Sequence, residues 1–281
     1  MIKIDVPATS ANLCVGFDTL GIAFNIYNSF EFIKSDYDDV SSFAKEYQEN
    51  NMVLSAYKSF FEEYKITYIP VKISLVKQDV PTERGLGSSA TCIVAGVMAA
   101  NIISGKNLPS EKLLDLCAKI EGHPDNVLPA LIGGLCAAFK GDFEYHYVRY
   151  LVSKELKFYS LIPDFSLKTS LSRSVLPNTY KRSDVVHNLA RIVNLPYAFE
   201  CGDMELIKAI MDDKIHEPYR LGLIDNANKV KEYFKNGAVC ISGAGSCLLL
   251  VTKDEIKEDL IYGFRIKKVE VDEKGVQAYE V

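Results

Sequence analysis

At 281 residues the chain is longer than a minimal single-core domain needs and has room for two domains of ordinary size. A hydrophobic fraction of 48% with 25% charged residues is that of a folded globular protein and excludes a disordered one. The net charge of −5 argues against a general nucleic-acid binder, whose affinity needs clustered Lys and Arg, but leaves a small phosphorylated ligand open.

In chain order, β-like runs at Ile2 to Val6 and Ala23 to Ile33 come first, followed by a helical stretch from about Met52 to Tyr64. Val71 to Val76 alternates like a half-buried strand and leads into a glycine-rich turn, after which an Ala-rich apolar helix runs from Ser88 to about Ile103. A second helix follows Pro109, with Ser110 as its expected N-cap. Gly122, Pro124 and Gly133–Gly134 then punctuate the chain before an apolar strand, LCAAF. Alternation returns over Asp142 to Lys157, and Ser160 to Phe165 reads as a strand. The domain boundary is expected near residue 150, giving units 1–150 and 151–281. The second half reads as helices at Val185 to Phe199, Met204 to Met211 and Asn226 to Phe234. Strands are expected at Ala238 to Ile241, Cys247 to Val251 and Phe264 to Val271. Mixed elements without regular βαβ alternation predict an α+β class.

Seven cysteines without a C-x-x-C pair read as reduced, packed thiols, and the four dispersed histidines form no visible metal cluster. The apolar run from Cys92 to Ile103 falls short of the ~20 residues of a membrane span, and MIKIDVPATS lacks the pattern of a signal peptide. A cytoplasmic location is expected.

The turn PTERGLGSSAT carries the first functional signal. Glycines permit a close backbone approach, a helix start presents unpaired N–H groups, and serine hydroxyls can donate to phosphate or ligate magnesium. Taken alone, the same residues describe a capped helix after a turn. Four further segments concentrate polar, glycine and proline residues. In VPATSANLCVGFDTLG, Asn12 can bond a substrate hydroxyl and Asp18 can hold a cation, although an Asx-rich structural loop uses the same residues. In IEGHPDNVLPALIGG, Glu121 is a candidate magnesium ligand among His123, Asp125 and Asn126, with a solvated turn as the rival. Arg173 in TSLSRSVLP suits a bidentate grip on carboxylate or phosphate. The last segment pairs HEPYR with ISGAGS, where small residues fit a tight hairpin or the close approach of another loop or a phosphate. Walker A, protein-kinase and hydrolase-elbow patterns are absent.

In this order, VPATSANLCVGFD, PTERGLGSSAT, EGHPDNVLPALIGG and ISGAGS resemble the GHMP kinases (galactokinase, homoserine kinase, mevalonate kinase and phosphomevalonate kinase), and within them the homoserine branch. The resemblance spans nearly the whole chain. It implies a two-domain fold, with an N-terminal domain like ribosomal protein S5 domain 2 and a ferredoxin-like C-terminal domain. It further implies ATP phosphates in the loop formed by Pro81, Thr82, Glu83, Arg84, Gly85, Leu86, Gly87, Ser88, Ser89, Ala90 and Thr91, with Ser89 and Glu121 holding Mg2+. L-homoserine would place its amino group near Asp18, its carboxylate between Arg173 and Arg220, and its hydroxyl near Asn12, with His123 and Asn126 lining the pocket. Asn12, Asn126 and Arg173 are the implied catalytic set. An asparagine at 126 cannot take a proton, so transfer by positioning and electrostatics is expected, with Asp125 the nearest carboxylate. Cys14, Val15 and Ser246 depart from the family's common Gly, Pro and Pro. Alternatives are a kinase for threonine, shikimate or mevalonate, or a non-catalytic ligand sensor. No nucleic-acid or membrane partner is expected, and a homodimer is an option for assembly.

Overall fold

The computed structural model describes residues 1–280. The chain runs β1 (Ile2–Ala11), β2 (Leu20–Lys34), α1 (Met52–Glu63), β3 (Val71–Gln78), α2 (Ser88–Ile103), α3 (Ser110–Glu121), α4 (Pro124–Ile132), β4 (Leu135–Lys140) and β5 (Tyr145–Tyr150). It continues through β6 (Lys157–Pro163), α5 (Thr169–Ser174), α6 (Arg182–Ile192), α7 (Leu195–Cys201), α8 (Met204–Ile210), α9 (Glu217–Arg220) and α10 (Ala227–Tyr233). The last elements are β7 (Ala238–Ile241), β8 (Leu248–Thr252), β9 (Leu260–Ile261), β10 (Phe264–Val269) and β11 (Gln277–Glu280).

The strands form two antiparallel sheets. One has the order β11-β1-β2-β4-β5, with β3 also paired to β2. Its edge strand β11 pairs with β1, so the far end of the chain closes the sheet that the first residues open. Helices α1 to α4 supply apolar residues to one face, where Ile4, Val6, Phe30 and Phe32 meet Tyr57, Phe60, Val94 and Leu128. The β1–β2 register shifts between Pro7 and Ala8. Such a shift reassigns side chains between faces, and beyond it Ala8, Ile22 and Phe24 join a second core shared with the other sheet.

The other sheet has the order β7-β8-β6-β10-β9. Within it, β7-β8-β6-β10 is the split βαβ order of ferredoxin-like domains, although the second crossover, residues 253–259, carries no helix. Phe158, Cys240, Leu249 and Val251 face the shared core with α7 and α8, while Tyr159, Leu161, Ile241, Leu248 and Leu250 face α10. Burial on both faces explains why AVCI and LLLV are apolar throughout rather than alternating.

Several expectations are corrected. The single helix over 185–199 is two, because Pro196 near the start of α7 has no N–H with which to continue α6. Pro109, in extended conformation, is the N-cap of α3, and Ser110 is already its first helical residue. Helix α4 lies where only punctuation was read, and β11 was not foreseen. All seven cysteines are free thiols, of which Cys201 is exposed. Among the described residues no helix is long and apolar enough to cross a membrane.

Candidate active site

A cavity of about 560 Å3 opens where the glycine turn, the loop after β1, the α3–α4 corner and α5 converge. Asn28 on β2 fixes the turn at both ends. Its Oδ1 accepts from the Val80 N–H at 3.0 Å and its Nδ2 donates to Thr91 Oγ1 at 2.9 Å. Gly85 and Gly87 have φ of 75° and 70°. A Cβ on Gly87 would lie 2.0 Å from Thr9 Oγ1, and one on Gly85 2.1 Å from the Ser242 carbonyl oxygen, so space as well as conformation requires glycine at both. Gly87 caps α2 without a side-chain acceptor, which leaves first-turn N–H groups for an anion.

Thr82, Glu83, Arg84, Gly85, Gly87, Ser88 and Ser89 line the cavity. The predicted loop residues Pro81, Leu86, Ala90 and Thr91 do not. Leu86 and Ala90 pack their side chains into the two cores, and Thr91 Oγ1 donates to the Ser88 carbonyl. Arg84 turns its guanidinium outward, Nε and Nη2 donating to the carbonyls of Pro163 and Asp164 at 3.0 and 2.9 Å.

At the helix start, Ser89 Oγ donates to Glu121 Oε2 at 2.6 Å. Burial raises the Glu121 pKa, opposed by the Ser89 hydrogen bond, and no basic residue pairs with it among the described residues. Two hard oxygen donors beside a helix start with free N–H groups are a donor set that magnesium can take. Asp18, His123 and Asp125 also bring ligand atoms within 4.8 Å of one another, but each already has a partner: Asp18 pairs with Arg173 and His123 Nδ1 with Asp125 Oδ1. Burial works to lower the His123 pKa, and the hydrogen bond and charge of Asp125, with the charge of Glu121, outweigh it and raise it.

The same cavity is lined by Asn12, Asp18, Asn126, Arg173 and Arg220. Asn12, 3% exposed, is largely spent on the loop, its Oδ1 accepting from the Asp18 N–H at 3.0 Å and its Nδ2 donating to the Gly243 carbonyl at 2.7 Å. Asn126, in the first turn of α4, accepts from Thr9 Oγ1 at 2.8 Å. Arg173 on α5 chelates Asp18 through both Nη atoms, at 3.1 and 2.8 Å. Arg220 on α9 is 1% exposed and has no carboxylate partner among the described residues; its Nε donates to the Ser172 carbonyl at 3.1 Å. A buried guanidinium that borders a cavity and has no ion-pair partner offers its N–H groups to an anion.

The ISGAGS segment is the close approach of another loop, one of the alternatives left open by its small residues. Ser242 Oγ donates to the Gly85 carbonyl at 2.6 Å, the Gly243 N–H donates to the Ala11 carbonyl at 3.1 Å, and the Cys247 N–H to the Arg84 carbonyl at 3.0 Å. Ser172 Oγ donates to the Ala244 carbonyl at 2.6 Å, which ties in α5 as well.

Sequence reasoning missed the apolar wall of the cavity, formed by Phe30, Phe43, Tyr47, Met52 and Leu75, with the amides of Asn50 and Gln78 at its edge. As single residues these are ordinary strand and helix apolars, and no spacing marks them. Phe17 was missed as well, although the Cζ atoms of Arg173 and Arg220 lie 5.9 and 5.1 Å from its ring centroid. Asn28, a buried amide inside an apolar strand, was the one legible clue.

Residues 51–134 match the family model of the GHMP kinases N terminal domain, and residues 189–267 that of GHMP kinases C terminal. A homoserine kinase of Clostridium botulinum (strain Okra / Type B1) is 41% identical over 92% of this chain and 88% of its own length. One of Clostridium acetobutylicum is 38% identical over 98% and 99%. The solved structure of homoserine kinase from Cytophaga hutchinsonii superposes with a TM-score of 0.84 at 27% identity, over 99% of this chain and 97% of that one. Streptococcus pneumoniae phosphomevalonate kinase, 15% identical, shares the fold with a TM-score of 0.71 over 91% and 93%. The chain belongs to the homoserine kinase branch of the GHMP kinase family.

Proposed function

We propose that the protein transfers the γ-phosphoryl group of ATP to the side-chain hydroxyl of L-homoserine, giving O-phospho-L-homoserine and ADP on the route to threonine. The observation that carries the reading is that one cavity combines two unlike kinds of lining. A glycine turn and a free helix start line it together with the buried Arg220, which has no ion-pair partner among the described residues, and the Asp18–Arg173 pair. A zwitterionic alcohol needs both signs of charge, whereas shikimate and mevalonate carry no amino group for Asp18.

The triphosphate would rest on the backbone of the turn from Thr82 to Ser89, the part that lines the cavity, and Ser89 and Glu121 would hold magnesium, which when bound neutralises charge on the phosphate oxygens. The base and ribose fit the apolar wall of Phe30, Phe43 and Leu75. The amino-acid carboxylate would lie between Arg173 and Arg220 and its amino group beside Asp18, with Asn12, His123 and Asn126 confining the hydroxyl. The hydroxyl oxygen forms the new P–O bond as the bond to the β–γ bridging oxygen breaks, and the proton follows late onto the transferred group, so no residue need act as base. Consistent with this, Asp125 is buried and engaged with His123.

A coupled ADP-release assay over homoserine, threonine, shikimate and mevalonate tests the reading. Homoserine is expected to give the highest kcat/KM, and a value no better than the other three would reject it.

A further inference from the structure

His216 is the one histidine with a side chain wholly out of solvent, and none of the roles above uses it. It precedes α9, where Asp213 Oδ2 accepts from the backbone N–H groups of both His216 and Glu217 at 2.7 Å, fixing the first turn. The ring is held on three sides. Its Nε2 lies 2.6 Å from the Cys14 carbonyl oxygen, which can only accept, so Nε2 carries the proton. Its face stacks on Phe17, with centroids 5.3 Å apart and planes at 24°. Its Nδ1 lies 3.4 Å from Arg220 Nη1. Burial lowers the His216 pKa and favours the neutral ring, and the neutral ring with its proton on Nε2 presents a lone pair at Nδ1.

We infer that His216 is a positioning residue for amino-acid binding, accepting from Arg220 at Nδ1 so that, with Phe17 beneath, the guanidinium keeps its remaining N–H groups turned toward the substrate carboxylate. The inference rests on the homoserine reading. Arg220 has no acid to orient it, and its Nε is already committed to the Ser172 carbonyl. One further fixed N–H direction sets the orientation of the planar guanidinium fork, the geometry that a carboxylate meets bidentately. The chain Cys14 carbonyl, His216, Arg220 also links the loop after β1, which carries Asp18, to α9, so both charged subsites share one support.

The two conservative replacements separate the two ring nitrogens. Asparagine can place an acceptor where Nδ1 stands, and glutamine a donor where Nε2 stands. His216→Gln is expected to raise the KM for homoserine about tenfold, the loss of one hydrogen bond to a charged group, with kcat and the KM for ATP within about twofold. His216→Asn should stay within about threefold of the parent in the KM for homoserine. Equal shifts in the two variants, or a KM for ATP that moves in step with that for homoserine, would overturn the inference. Should neither variant fold, Phe17→Leu decides. A raised KM for homoserine with that for ATP unmoved supports the support role of this stack, and an unchanged one overturns it. Homoserine turnover by the parent protein is measured first, because its absence would reject the functional reading itself and the inference with it, before any variant is compared.

Discussion

Both carboxylate oxygens of Asp18 accept from the guanidinium of Arg173, which lies 155 positions away in sequence, so the two groups expected to grip opposite ends of an amino acid grip each other. A zwitterion entering between them offers each a partner of the same charge as the one it gives up. The pair is partly exposed, so solvent screening keeps the exchange inexpensive.

Arg173→Ala should therefore raise the KM for homoserine by roughly 10- to 100-fold, the range for a lost hydrogen-bonded charge contact, and leave the KM for ATP within about twofold. Asp18→Asn should do the same. Because the two share a partner, the double variant should fall short of the product of the single effects. Steady-state kinetics with each substrate varied checks this, and equal effects on both KM values would remove Arg173 from the amino-acid site.

Ser89→Ala should impair the use of magnesium and ATP with little change in the KM for homoserine. Loss of one oxygen donor should raise the magnesium concentration needed for half-maximal activity by about tenfold. Magnesium titrations at saturating ATP measure it, and an unchanged requirement would contradict the role given to Ser89.

Glu121 links activity to pH and stability in opposite directions. Burial raises its pKa in the folded state, so the folded protein holds that proton more tightly than the unfolded chain does. The stability this gives is complete below the usual carboxylate value and is lost as pH rises through the raised one. Glu121→Gln, neutral at every pH and able to keep a hydrogen bond to Ser89, should raise the melting temperature at neutral pH. The gain should vanish in acid, and activity should fall at all pH values. In the parent, activity should decline toward acid as Glu121 protonates, and added magnesium should move that limb to lower pH. Thermal melts across pH test the first expectation, and a variant that melts lower than its parent at pH 7 would refute it.

Gly85→Ala places a methyl group against the Ser242 carbonyl oxygen in a backbone region where L residues are strained. A cost of about 2 kcal/mol or more is expected, together with loss of ATP binding. Denaturant unfolding and nucleotide titration read the two effects separately.

How much of this was legible in the chain depends on distance. The strand, glycine turn and helix around Gly85 could be read because their signals are local: alternation in β3, glycines at positions of positive φ, and an apolar run for α2. Helix α4 was missed because Pro124 and Pro129 both fall within its nine residues. Pro124 begins it, where no N–H is required, and the single internal proline is tolerated in a helix this short and this tightly packed. The Asp18–Arg173 pair had no local signature, and the resemblance that named both residues did not foresee that they would meet. The apolar cavity wall of Phe30, Phe43 and Leu75 was invisible for a different reason. A residue lining a cavity and one filling a core follow the same hydrophobic rule, and only the fold tells them apart.

The contact of Ser242 and Gly243 with Gly85 and Ala11 makes the glycine turn a joint product of segments more than 150 positions apart. A fragment ending at residue 150 would contain every residue of the turn yet lose the wall it rests against. During synthesis the cavity would accordingly stay incomplete until Ser242, Gly243 and Cys247 have emerged. On the proposed reading, nucleotide capture would then report completed folding, and grafting the turn alone onto another scaffold would transfer its sequence without its support.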